Sequence, residues 1–334
     1  MLRAAKTLIS TAVVSTVPLL MGGSGGCSWL NNSVRKDDPP VHTGPMQPAK
    51  APEFVAYLNK QASFLQSVRY TDVYIDLYTG REHNTLGDST LVCAKPRNFL
   101  LIGGKRVVGD IVNIGSNSQE FWMYSRVPER MYAYCSHADF QQGTVQLPVP
   151  FDPDWALQAL GMNTYEPTRQ YTVESDQKNW QYLLSFDERT PQGMPVKRVI
   201  VFSADDSAKS KSGLPQIRRH LILDANKNKI AVAEIKRAVT MSAGADPTTG
   251  APVYVQVPTE VSLEWPQQGF RMELNLRGVK INEVLSEQEM RQLFTKPAIN
   301  GVTPVNLATD PRFTPSGFER GATPNDLPPR PRSR

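Results

Sequence analysis

Apolar and polar residues alternate along most of this chain with a period of two. The run Ser67-Val-Arg-Tyr-Thr-Asp-Val-Tyr-Ile-Asp-Leu-Tyr78 sets the pattern, with Val73, Ile75 and Leu77 on one face. Successive side chains of a strand point to opposite faces, so such a run predicts a sheet that is apolar on one side. Further strands are predicted over 90–95, 98–103, 110–115, 120–126 and 130–136. The short turns between them hold Gly103-Gly104, Gly115-Ser116-Asn117-Ser118 and Pro128. Such even spacing marks an antiparallel meander. Strands resume after Tyr171. Trp180, Tyr182, Leu184 and Phe186 alternate, and 196–203 is expected to pair with 217–223 across a polar loop. Residues 230–238 and 253–265 follow, and Phe270-Arg-Met-Glu-Leu-Asn-Leu-Arg277 is the cleanest alternation in the chain.

Helical signals occur at three places. From Pro52 onward, Phe54, Leu58 and Leu65 form one stripe beside Val55 and Ala62, and Pro suits a first turn. A second helix is expected with Asp152 as cap, Pro153 as first residue, Trp155, Leu157 and Leu160 within, and Gly161 as stop. The capping box Ser286-x-x-Glu289 opens a third. The predicted class is mainly β (α+β): a curved antiparallel sheet with a few helices over its apolar side.

The ends of the chain break this pattern. Arg3 and Lys6 precede the uncharged run 8–21, which is shorter than the roughly 20 residues a membrane span needs. It has the proportions of a signal peptide. Gly22-Gly23-Ser24-Gly25-Gly26 formally matches a G-x-S-x-G nucleophile elbow, but no strand precedes it and no helix follows. The small residues Ser24 and Gly26 instead suit cleavage before Cys27. The stretch resembles a bacterial lipoprotein signal, departing from it where Ser24 replaces an aliphatic residue. Ordinary signal peptidase would accept the same small residues. The expected organisation is therefore a leader over 1–26, lipid on Cys27, a proline-containing tether over 27–50, a β domain over 51–295 and a structureless tail over 296–334.

Composition narrows the function. The chain has 334 residues, 40% hydrophobic, with a formal charge of +5 spread thinly. No basic stripe interleaves with aromatics, so nucleic acid is not an expected partner. Besides Cys27, the two thiols Cys93 and Cys135 fall on strands several places apart. At about 4.8 Å per strand they exceed the roughly 7 Å that a disulfide tolerates between Cα atoms, so two buried thiols are expected, and only a strongly curled sheet would join them as a disulfide. His42, His83, His137 and His220 are not at metal-ligand spacing. Asp224-Ala-Asn226-Lys-Asn228 imitates the start of a calcium loop, but Lys229 and Ile235 stand where Gly and Glu are needed, so a hairpin turn is expected. The acidic pairs Asp187-Glu188 and Asp205-Asp206 are adjacent, which on a strand sends them to opposite faces. Nothing here forms a catalytic, cofactor or metal constellation, and no enzyme is expected.

What remains is a shape. The helices hold too few residues to cover so wide an apolar face densely. Trp180, Tyr182, Leu184 and Phe186, with Phe270, Met272 and Leu274, are the candidate lining of a cavity. The same alternation describes a filled core equally well.

Several motifs carry a resemblance over roughly 52–294. They are Leu65-Gln-Ser-Val-Arg69 leading into the first strand, Lys95-Pro96-Arg97-Asn98-Phe99, Val257-Pro258-Thr259-Glu260-Val261 and Gly278-Val279-Lys280-Ile281-Asn282. In these the chain resembles the LolA/LolB-type lipoprotein carriers. Gly115-Ser116-Asn117 with Glu120-Phe121-Trp122 is similar to a motif of related bacterial lipoproteins. The resemblance implies an unclosed half-barrel whose helices line or plug an apolar cavity. It also implies binding of lipid acyl chains or lipoproteins, in lipoprotein sorting. With lipid on Cys27 the protein would face the periplasm from a membrane of the bacterial envelope, the outer more than the inner. The alternative is a structural or sensory envelope protein that binds a protein partner without lipid transfer. An exposed aromatic patch of Trp122, Tyr124, Tyr132 and Tyr134 would favour it.

Overall fold

In a computed structural model, residues 46–105, 109–126, 130–143, 145, 147, 152–204 and 216–313 are described. The leader, Cys27, most of the tether and the last part of the tail lie outside them. Helix α1 (Ala51–Phe64) has Pro52 in its first turn and buries Phe54, Val55, Leu58 and Ala62. Leu65 turns extended at its end and leads into β1 (Ser67–Thr79). A meander follows through β2 (Glu82–Ala94), β3 (Asn98–Lys105), β4 (Gly109–Ser116), β5 (Glu120–Ser125) and β6 (Met131–Ser136). Two short helices, α2 (His137–Gln141) and α3 (Pro153–Ala159), precede the second meander. That meander runs β7 (Thr172–Asp176), β8 (Gln181–Arg189), β9 (Pro195–Ser203), β10 (Gln216–Leu223), β11 (Lys229–Ala245), β12 (Pro252–Trp265) and β13 (Phe270–Ile281). Helix α4 (Glu287–Leu293) and the two-residue β14 (Val305–Asn306) end the described chain.

All fourteen strands form one sheet, in the order β14-β6-β5-β4-β3-β2-β1-β13-β12-β11-β10-β9-β8-β7. The two meanders meet where β1 pairs antiparallel with β13. The outermost strands β14 and β7 do not pair with each other, so the half-barrel is unclosed.

Alternation sorts the side chains. Val68, Tyr70, Val73, Ile75 and Leu77 of β1 are buried on the inner face with Met272, Leu274 and Leu276 of β13. Trp155, Ala156 and Leu157 of α3 pack into the same core. Helix α1 covers the β8–β10 side, its Phe54 ring 5.5 Å from Tyr182 and 4.6 Å from Phe202. Each such buried side chain stabilises the fold by about 1.5–3 kcal/mol. On the outer face of β2–β6, Val92, Leu100, Trp122, Tyr124 and Tyr132 are buried under Met290 and Leu293 of α4 and the chain after it. Cys93 and Cys135 are buried and unpaired, on strands four places apart in the sheet.

Three boundaries differ from the sequence reading. Strand β2 begins at Glu82, because the polar residues 82–85 pair with β1 while their side chains face water. Strand β11 runs on to Ala245, its last turns exposed as part of a long hairpin with β12. The third is a correction. The ordered domain does not stop at 295 but continues to 313. Val305 and Asn306 pair parallel with β6, Leu307 is buried, and its N–H donates to the Tyr134 carbonyl at 2.9 Å. A two-residue strand is too short to alternate, so periodicity gives no sign of it.

Candidate functional site

Where the inner face is not covered by α1 or α3, a cavity of about 650 Å³ remains. Pairing builds its walls. Leu77 stands opposite Met272 across β1 and β13, and Thr79 opposite Phe270. Ile114 stands opposite Met123 across β4 and β5, and Met123 opposite Ala133 of β6. All of these line the space. Strands β1 and β5 are separated by three others in the sheet, so only its curl brings their side chains to one cavity. Trp265 and Phe270 pack at 5.5 Å on one side, with Trp155 set edge-on to Trp265 at 6.0 Å. The segment 301–313 closes the other side with Val302, Val305 and Phe313. Met123, Met131 and Met272 give the wall three flexible thioether side chains, which adapt to irregular apolar shapes.

The rim is polar. Gln268, Thr303, Arg130 and Arg312 line it and are exposed. Arg312 donates to both carboxylate oxygens of Asp310, at 3.0 and 2.8 Å, and holds that carboxyl down at about 2.

The candidate residues divide. Phe270 and Met272 line the cavity, while Leu274 lies one step deeper, in packed core. Tyr182, Leu184 and Phe186 are buried together on the far side, beneath α1. Phe186 is packed by the Tyr165 and Tyr171 rings, at 6.3 and 5.2 Å, with the Arg169 guanidinium 4.9 Å above its own. Trp180 sits in the β7–β8 turn at φ 53°, its carbonyl accepting from the Ala204 N–H. The structure therefore joins Phe270 and Met272 to Leu77, Ile114, Met123 and Ala133, and separates them from the β8 group. The alternation of Ile114 and Met123 could be read in their strands. Their meeting with β13 could not, because it depends on how far the sheet curls.

A second inner region is ionic. The Arg198 Nε donates to Glu188 at 2.8 Å, and its Nη2 approaches Asp152 at 3.5 Å. Burial pushes the Asp152 carboxyl up. Burial, and then the Arg198 charge, push His220 down to about 4. Among the described residues no three His, Cys, Asp or Glu side chains gather as a metal site would require. The aromatic patch is not exposed. Trp122, Tyr124 and Tyr132 are buried, the Trp122 Nε1 donates to Asn113 at 2.9 Å, and Lys296 lies over the half-buried Tyr134.

No protein-family model matches this sequence, and no curated protein matches it. Solved structures do. A structure described as a "putative outer membrane lipoprotein-sorting protein domain" from Vibrio parahaemolyticus is similar at 12% identity and a TM-score of 0.47, over 72% of this chain and 96% of that one. A DUF1329 family protein from Desulfovibrio piger is similar at 11% identity and a TM-score of 0.46, over 75% of this chain and 100% of that one. A LolA superfamily protein from Nitrosomonas europaea is similar at 11% identity and a TM-score of 0.40, over 72% of this chain and 97% of that one. Among the described residues no helix is long and apolar enough to cross a membrane.

Proposed function

We propose that this protein is a lipid-anchored protein of the bacterial envelope, facing the periplasm, that holds the acyl chain of a lipid or an acylated protein. One observation carries the reading: about 650 Å³ of space lined mainly by apolar side chains on the inner face of the sheet. That volume lies in the range of sites for small ligands, about 300–1,000 Å³. Burying about ten methylenes at about 0.8 kcal/mol each corresponds to micromolar affinity. The leader and Cys27 supply the anchor in this reading, with the outer membrane as its place, and lipoprotein sorting would be its service where the occupant is an acylated protein. The competing reading, a partner-binding scaffold, would use aromatic residues that the chain covers with its own α4 segment.

A fluorescent fatty acid titrated into the purified protein tests the cavity. Saturable binding at about micromolar affinity is expected. Met123→Glu puts a charge in the wall of the cavity, and should weaken binding at least tenfold with a small loss in Tm. Leu184→Glu buries an unpaired carboxylate beneath α1 and should unfold the domain. No saturable binding by the wild type would end the carrier reading.

A further inference from the structure

The cavity is apolar within, and the charged side chains among its described lining residues are both arginines. Arg130 and Arg312 both line it, and no Asp or Glu is among its described lining residues. The two arginines are not equivalent. Arg312 is held by Asp310 through two hydrogen bonds and stacks over Phe313 at 5.4 Å. Arg130 is exposed just before β6 and makes no ion pair or hydrogen bond with any described residue. Its neighbours on the wall are Met131 and Ala133, which lead inward to Met123. A guanidinium with no ion pair among the described residues therefore stands where an apolar chain entering the cavity would leave its head.

We infer that the occupant is an amphiphile with an anionic head, whose oxygens are met by Arg130 while its chain lies against Met123 and Met272. The inference rests on reading the cavity as an acyl-chain site and specifies which acyl ligand it takes. A guanidinium presents a planar fork of donors that matches carboxylate or phosphate oxygens two at a time. Burial of the chain fixes the head at the rim, so Arg130 needs no partner of its own to be placed. The lipid of an acylated protein joins its chains through uncharged ester and amide groups. It would leave this cation without a counter-charge. The geometry therefore favours a free anionic lipid over a lipoprotein.

Displacement of a bound fluorescent fatty acid by probes of one chain length decides the matter. Hexadecanoate is compared with its methyl ester, and a lysophosphatidylglycerol with the lysophosphatidylcholine of the same chain. In the wild type the anionic member of at least one pair should displace about tenfold better, as expected for a charge-assisted hydrogen bond. A preference confined to the first pair identifies a carboxylate head, and one confined to the second a phosphate head. Arg130→Gln should bring the preference close to one, and Arg130→Lys should restore part of it. Raising the salt should reduce it in the wild type. Equal displacement within both pairs, or a preference that survives Arg130→Gln, overturns the inference and leaves the cavity reading standing. No displacement by any probe, with Met123→Glu binding like the wild type, overturns both.

Discussion

His220 faces the core from β10, opposite Ile200 of β9, and its Nε2 has no hydrogen-bond partner. Burial disfavours its charged form, and Arg198 adds like charge, so its pKa falls to about 4. In an unfolded chain it titrates near 6.5. Between these values the unfolded state binds more protons than the folded one. The contribution is therefore fully present above about pH 6.5 and is lost as pH falls toward 4, by up to about 3 kcal/mol. Asp152, raised by burial, slopes the other way at acid pH. Comparing variants isolates the histidine: His220→Leu should lose less stability than the wild type between pH 7 and pH 4.5 in urea melts. Parallel losses would show that His220 does not titrate as a buried neutral ring. The burial of His220 was not legible: alternation puts it on the side opposite Leu221 and Leu223, whereas the structure buries it beside Ile222 and leaves those leucines half-buried. Nor was its neighbour Arg198, because an arginine on an inner face breaks the apolar alternation that marks one.

The β4–β5 hairpin explains the motif at 115–122. Gly115 stands opposite Trp122, and a Cβ on it would come 2.1 Å from the indole. Glycine is needed there for the ring, not for the backbone. Asn117 then ties the turn together, its side-chain oxygen accepting from the Gln119 and Glu120 N–H groups and its amide donating to the Phe294 carbonyl at 3.0 Å. The motif thus seats the tryptophan and fastens the chain that covers it. Gly115→Ala should cost about 1–3 kcal/mol by overpacking, with a shift in tryptophan emission that a change confined to solvent-exposed residues would not give. Phe294→Ala should cost about 3–5 kcal/mol and expose the same indole. At this scale local features were readable. The box at Ser286 forms both of its hydrogen bonds, and Asp224 accepts from Asn226 and Asn228 in a hairpin turn. Pairing was not readable, because alternation says which face a residue takes and nothing about its neighbour.

Across the whole molecule, the two ends proposed to act in a membrane and in ligand binding are far apart in the chain. If Cys27 bears the anchor, Cys27→Ala should abolish labelled fatty-acid incorporation and move the protein from the membrane to the soluble fraction of cells. Unchanged incorporation would exclude lipid at that residue. The cavity itself was only half legible. Phe270 and Met272 stood out by their alternation, but the wall they complete comes from β4–β6 and from 301–313, whose approach depends on curl and on a strap without periodicity. The seam between β1 and β13 has a further consequence. Val73 pairs with Leu276, 203 positions later by subtraction of their numbers, so the middle of the sheet joins two remote parts of the chain. Closing so long a loop is entropically unfavourable, and folds dominated by distant pairing form slowly. During synthesis the inward edge of β1 waits for nearly the entire domain to be made. If residues 1–26 act as the proposed export leader, that delay would leave the chain threadable when it reaches the translocation machinery, and the sheet would zip shut only on the far side.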